Sequence, residues 1–176
     1  MSVWGEIPAH PNGVTVAYYD ESVGWVGLNH TYANSQNLDH RWRSFIPWLS
    51  PRIVSVFPFR NALQSPKSRM PLLYVSHTAT AIDASIPKAQ WVHLVRAKSE
   101  RNSRLVQVTS GWSTLSFRPG FAEREDVPLK FKVLSGAVYT IQPDRPLDDG
   151  QYFVIFGPSA LSGFDFEIEC SGAPPG

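Results

Sequence analysis

Apolar and polar residues alternate along several segments of this chain, and the alternation is the strongest local signal in the sequence. Residues 164–169 read Phe-Asp-Phe-Glu-Ile-Glu without a break, and residues 129–133 alternate apolar residues with two lysines. Side chains on a strand point alternately to opposite faces, so each segment predicts a half-buried strand with its charges on the outer face. Ion pairs between these two strands would stabilise the sheet if the strands were neighbours.

Turn residues join the apolar segments into hairpins. Three hairpins are predicted: residues 14–19 with 23–28, residues 91–96 with 104–109, and residues 129–134 with 137–141. Residues 152–156 form a continuous apolar run between Gly150 and Gly157, which is typical of a strand covered on both faces.

The remaining segments complete an all-β prediction. Residues 53–57, 72–75 and, more weakly, 114–117 read as strands, and only residues 38–46 and 122–126 fit short helices. Roughly ten strands with at most short helices predict an antiparallel β-sandwich of the jelly-roll or immunoglobulin-like type. We expect one domain over residues 1–170, with a long loop at 29–51 and a flexible tail at 171–176.

The second half of the chain is similar to an uncharacterised bacterial β-sandwich region. The similarity spans residues 91–169 and is carried by residues 92–96, 103–105, 139–143, 146–147, 150–152 and 164–166. Where that region often has Pro-Gly-Glu-Tyr, this chain has Asp-Gly-Gln-Tyr at 149–152. The resemblance implies a fold and no activity.

Charge is distributed unevenly. The net charge of the 176 residues is +1, but residues 39–104 hold eleven basic and three acidic side chains, a net of +8. The near-neutral total argues against a dedicated nucleic-acid binder. The chain has no apolar run of roughly 18 residues, so no membrane span is expected. Its single cysteine, Cys170, and a start unlike a secretion signal favour a cytoplasmic protein or an intracellularly assembled particle.

No residue pattern in the sequence requires catalysis. Residues 157–161 begin like the serine turn of a hydrolase, but Leu161 stands where the second glycine is needed. The five histidines have no paired spacing for a metal, and the acids at 148–149 precede Gly150 as in an ordinary turn. His93 is expected to be a structural histidine. We therefore expect a protein that is not an enzyme and that uses no metal or cofactor.

One basic and aromatic stretch suggests a contact surface. The candidate partner-binding residues are Arg41, Trp42, Arg43, Trp48, Arg52 and Arg60. Guanidinium groups interleaved with rings suit stacking and bidentate hydrogen bonds, and Trp and Arg are frequent in protein interfaces. The alternative is that Trp42, Phe45 and Trp48, spaced three apart, form the buried side of a short helical segment.

These observations favour a non-catalytic interaction module. We expect it to bind a protein partner or to self-assemble as a subunit of a larger assembly. A carbohydrate-binding module that stacks Trp25, Trp42, Trp48 or Trp112 on sugar rings is the first alternative. A hydrolase whose site is assembled only by the fold is the second.

Overall fold

The computed structural model describes residues 16–38, 52–76, 91–113, 116–121, 125–135, 138–157 and 160–169. Within these ranges the regular elements are all strands, so the all-β prediction is confirmed. The strands are β1 (Val16–Asp20), β2 (Gly24–Gly27), β3 (Asn29–Tyr32), β4 (Ser35–Leu38), β5 (Arg52–Pro58), β6 (Leu73–Ser76), β7 (Val92–Ser99), β8 (Ser103–Ser113), β9 (Ser116–Phe121), β10 (Asp126–Val127), β11 (Leu129–Ser135), β12 (Val138–Pro143), β13 (Gly150–Phe156) and β14 (Ser162–Ile168). None of the described residues belongs to a helix that could cross a membrane.

The strands form two antiparallel sheets. The five-stranded sheet has the order β11-β12-β6-β1-β2. The nine-stranded sheet has the order β3-β14-β13-β7-β8-β5-β4, with β10 paired to β7 and β9 paired to β8. The predicted hairpins β1–β2 and β11–β12 are confirmed. The predicted pairing of residues 91–96 with 104–109 is wrong. β7 pairs with β8 only beside the turn, at Lys98 with Leu105 and Ser99 with Arg104, and residues 92–97 pair with β13.

The nine-stranded sheet curls back on itself. Its end strands, β3 and β4, are separated in the chain only by Ala33 and Asn34. The backbone N–H of Ala33 donates to the carbonyl of Leu161 at 2.8 Å, and that of Asn34 donates to the carbonyl of Val56 at 2.7 Å. This short link therefore bridges the two ends of the sheet.

Two apolar clusters fill the molecule, one between the sheets and one inside the curl. The first includes Tyr152 and Val154, and the second includes Phe153 and Ile155. Alternate side chains of β13 enter different clusters, because successive residues of a strand face opposite sides. The prediction of a strand covered on both faces is confirmed.

Two expectations are corrected by the strand pairing. The described part of the expected loop at 29–51 is not a loop, because residues 29–32 and 35–38 form β3 and β4. These strands lack an apolar period because they lie at the ends of the curled sheet. Leu38 is also the last residue of a strand rather than the start of a helix.

The charges on β14 do not all face solvent. Asp165 is buried, since this face of β14 is the interior of the curl, and Glu167 is half-buried. Glu169, just after the strand, is exposed as predicted. The lysine strand β11 lies in the other sheet, so it is not a neighbour of β14. Asp126, at the end of the second expected helix, belongs to strand β10.

Candidate functional site

A loop of irregular structure joins β5 to β6, and we call residues 59–72 the capping loop. Loops longer than about 12–15 residues without regular structure are uncommon in compact proteins and are often functional. The capping loop runs past the end of the curled sheet at which Gln151 and Glu167 lie. Through Gln151 it is connected to a pair of buried charges.

The buried charges are Arg104 on β8 and Asp165 on β14. Arg104 Nη1 donates to Asp165 Oδ2 at 2.5 Å, and the side chains are 1% and 4% exposed. Thr31 Oγ1 donates to the other carboxylate oxygen at 2.7 Å, and the guanidinium carbon lies 4.7 Å from the ring centroid of Phe153. Each buried ion costs several kcal/mol in lost solvation, so the pair persists because both charges have partners.

The buried pair also fixes the start of the capping loop. Arg104 Nη2 donates to the carbonyl of Pro58 at 3.2 Å. Arg104 Nη1 lies 3.4 Å from Gln151 Oε1, which accepts the backbone N–H of Ala62 at 2.8 Å. Both ends of residues 59–61 are therefore tied to side chains in the interior.

The second half of the loop is fixed at further points. The backbone N–H of Glu167 donates to the carbonyl of Gln64 at 2.9 Å. The N–H of Leu147 donates to the carbonyl of Arg69 at 2.8 Å, and the Arg69 guanidinium pairs with Asp149 at 2.5 Å. The loop is thus irregular in conformation but bonded along its length.

Phe59, the first residue of the loop, has an unusual backbone conformation. Its φ is 63°, in the left-handed region that costs a bulky residue about 1–3 kcal/mol. Its side chain is 73% exposed, so no burial of the ring offsets this strain. The hydrogen bonds at Pro58 and Ala62 hold the backbone there, and such strain is concentrated at functional sites.

Two other exposed side chains accompany Phe59. Leu63 is 88% exposed. Arg60, which follows Phe59 directly in the chain, is also exposed. An aromatic ring, a guanidinium and an aliphatic side chain on a fixed backbone are suited to contact with another protein, because Phe and Arg are enriched in interfaces. We call Phe59, Arg60 and Leu63 the contact triplet.

The contact triplet includes only one of the residues predicted from sequence. Four predicted contact residues lie outside the described ranges: Arg41, Trp42, Arg43 and Trp48. Arg52 is the first residue of β5, and Arg60 follows the other end of that strand. Seven strand residues span about 20 Å, so the described chain does not bring Arg52 and Arg60 together.

His93 and Asp126 form a second polar pair outside the capping loop. His93 Nδ1 lies 3.0 Å from Asp126 Oδ2, and the imidazole packs 4.9 Å from the ring of Phe121. The pair lies where β7 meets β10, at the edge of a cleft of about 330 Å³. These contacts fit the expected structural role of His93. The described residues contain no group of three side chains able to hold a metal.

Trp25 was one of the candidates for sugar stacking. Its ring is half-buried, with ring centroids 5.3 Å from Tyr19 and 5.6 Å from Tyr74. Two aromatic neighbours already contact this indole. The side chains of the other three candidate tryptophans lie outside what the structure describes.

Sequence reasoning did not identify Phe59, Leu63, Arg104 or Asp165. The positive φ of Phe59 has no sequence signal, since such positions are normally held by Gly or Asn. The sequence pattern predicts Arg104 only as the start of an ordinary hairpin strand. The sequence shows an excess of basic residues over 39–104, but a count of charges does not show that one of them, Arg104, is buried.

Comparison with known proteins adds no functional assignment, because no family model, curated protein or solved structure matches this chain. The resemblance of residues 91–169 to a bacterial sandwich region stays a prediction.

Proposed function

We propose that this chain is a non-catalytic interaction module that contacts a protein partner through the contact triplet. The observation that carries the proposal is Phe59, an exposed aromatic residue held in a strained conformation by bonds to a buried ion pair. A backbone fixed in this way loses little conformational entropy on binding, so more of the contact energy remains as affinity.

The proposed module is an antiparallel β-sandwich that serves as a subunit of a larger assembly. The cluster between its two sheets supports the sandwich arrangement, and the ordered loop at one end supports a contact role. Binding loops on a rigid β scaffold are a common arrangement for recognition. The partner is a second copy of this chain or another protein.

The proposal is tested by cross-linking from the loop itself. A photoreactive amino acid replaces Arg60 in the full chain, and the chain is irradiated alone over a range of concentrations and then in its native extract. We expect a discrete adduct of defined mass. Replacing both Phe59 and Leu63 by Ser should weaken its formation at least about tenfold, the effect typical of interface hot spots.

Position 161 provides a matched control. Leu161 is also an exposed leucine, at 55%, but it lies in the turn before β14. Leu161→Ser should leave the adduct unchanged. Absence of any adduct from position 60, with a monomer at all concentrations in light scattering, would contradict the proposal.

A further inference from the structure

A cleft lies between the β1–β2 turn and the second half of the capping loop, and we call it the turn cleft. Its volume is about 470 Å³, within the range of small-molecule sites. One wall is residues 19–22, and the other is formed by Lys67, Ser68, Met70 and Leu72. The contact triplet does not line it, so the cleft is a separate feature from the proposed protein contact.

Backbone and side-chain hydrogen bonds hold the walls of the turn cleft in place. The N–H of Tyr19 donates to the carbonyl of Leu72 at 2.9 Å, which joins the two walls. Gln142 Nε2 donates to the carbonyl of Met70 at 3.1 Å. On the other side, the Asp20 carboxylate accepts hydrogen bonds from the backbone and hydroxyl of Ser22. A cleft built in this way exists before a ligand arrives.

The charged groups in the cleft are of both signs. Hydrogen bonds from Ser22 hold the pKa of Asp20 below its usual value, so this carboxylate is ionised at neutral pH. The Lys67 ammonium lies 3.9 Å from Asp20 Oδ2, beyond hydrogen-bond distance, and its side chain is 81% exposed. A hydroxyl group between them could donate to the carboxylate and accept from the ammonium.

The remaining lining residues supply apolar surface. Tyr19 lies beside its cross-strand partner Trp25, whose ring meets it edge to face at 5.3 Å, and Met70 and Leu72 line the opposite side. A ligand that fits must therefore have a C–H face as well as groups that both donate and accept hydrogen bonds.

We propose that the turn cleft binds a neutral sugar ring. A pyranose has an apolar C–H face that packs on an aromatic ring, and hydroxyl groups at its edge. The carboxylates of Asp20 and Glu21 outnumber the single ammonium of Lys67, so the cleft disfavours an anionic ligand. A neutral sugar uses a carboxylate and the ammonium together, whereas a cation would use the carboxylates alone and would leave Lys67 facing a like charge. In this site Tyr19 supplies the aromatic surface, and its cross-strand neighbour Trp25 packs against its ring.

The test is an NMR titration of the ¹⁵N-labelled full chain. The probes are glucose, galactose, mannose and N-acetylglucosamine with their short oligomers, glucuronate as an anion, and N-acetyl-lysine amide as a cation. We expect saturable shifts of the Ser22 and Met70 amides with at least one neutral sugar and with neither charged probe.

Two exposed substitutions test the polar groups without disturbing the core. Lys67→Met should weaken sugar binding about tenfold, the value of one hydrogen bond to a charged group. Glu21→Gln removes one of the charges that oppose an anion, so it should strengthen the binding of glucuronate. The matched controls are Lys98→Met and Glu100→Gln, exposed residues at the far end of β7 and in its turn. The controls should leave the affinity unchanged.

Three results would overturn the sugar proposal: no saturable shift with any neutral sugar, binding of the lysine probe alone, or equal sugar affinity in Lys67→Met and the unsubstituted chain. Tyr19→Ala should abolish binding. If that variant fails to fold, Lys67→Met decides the question, because its side chain is on the surface.

Discussion

At the scale of single residues, Arg104 links the interior of the protein to its proposed contact surface. Its guanidinium pairs with Asp165, donates to the carbonyl of Pro58 and lies against Phe153. Its Nε has no hydrogen-bond partner among the described residues. A buried cation with several partners is costly to disturb, since removing one member leaves the other charge unpaired.

The first prediction concerns this pair. Arg104→Met should lower the free energy of unfolding by about 3–5 kcal/mol, because Asp165 would be left buried without its cation. Urea denaturation followed by far-ultraviolet circular dichroism measures the change. The double variant Arg104→Met with Asp165→Leu should recover much of the loss, since neither charge then remains.

Arg101→Met is the surface control and should change stability by less than about 0.5 kcal/mol, because Arg101 is exposed. If Arg104→Met and the double variant lost equal stability, the cost would come from packing and not from the unpaired carboxylate.

His30 is a second residue with a defined electrostatic environment. Its imidazole stacks on the ring of Phe164 with centroids 4.6 Å apart and planes 13° apart. Partial burial lowers the pKa of His30 from its ordinary value of 6.5. The folded state therefore binds this proton less readily than the unfolded state does.

The second prediction follows from the lowered pKa of His30 in the folded state. Stability should fall as the pH is lowered from about 7.5 to about 5.5, because the unfolded chain takes up a proton at His30 that the folded chain resists. In His30→Phe, which keeps the stacking and does not titrate, the unfolding free energy should decline less over the same range. An equal pH slope in both proteins would exclude His30 as the source.

At the level of strands, β13 and β14 lie side by side in the nine-stranded sheet. Gly163 on β14 lies against β13, and a Cβ placed there would be 3.1 Å from side-chain carbons of Ile155 and Phe153 and 3.2 Å from the carbonyl oxygen of Val154. A larger residue at this position would require its neighbours to shift by a few tenths of an ångström, so close packing, and not the backbone angles, disfavours a side chain there.

The third prediction is that Gly163→Ala lowers the free energy of unfolding by about 1–3 kcal/mol through crowding. Gly24→Ala is the comparison, since a Cβ at Gly24 meets nothing within 4 Å and the cost is only that of its φ of 85°, about 1 kcal/mol. Combined with Ile155→Ala, which removes the Cγ1 atom that a Cβ at position 163 would meet, Gly163→Ala should cost less than it does alone, whereas the cost of Gly24→Ala should not change.

Most strands could be predicted from the sequence because alternation and turn residues are local properties. β3 and β4 could not, since Asn29–Tyr32 and Ser35–Leu38 are polar strands formed by pairing with distant segments. Of the three residues of the contact triplet, the sequence predicts only Arg60 as a contact residue. The conformation of Phe59 depends on Arg104 and Gln151, which are far along the chain.

At the scale of the whole molecule, β13 joins the two apolar clusters. Phe153 and Ile155 enter the cluster inside the curl, and Tyr152 and Val154 enter the cluster between the sheets. Since one strand contributes to both, neither cluster can lose its packing without disturbing the other.

The fourth prediction is that the described sheets unfold in one transition. Phe153→Ala should lower stability by about 3–5 kcal/mol, and the loss should appear equally in the hydrogen exchange of amides in β12, which belongs to the other sheet. The Val133 side chain on β11 is 57% exposed, so Val133→Ala should change neither the stability nor the hydrogen exchange of β12. Loss of protection confined to the nine-stranded sheet would show that the two clusters unfold separately.

Local patterning along the chain is sufficient to show that this protein is built from strands, where most of them lie, and two of its hairpins, β1–β2 and β11–β12. Those features depend on side-chain alternation and on turn residues, both of which act between near neighbours. Only the tertiary structure decided that the sheet curls, that Arg104 and Asp165 meet in its interior, and that Phe59 is held exposed above them. These contacts join residues far apart in the chain, and their free energy depends on burial, which a local pattern does not contain.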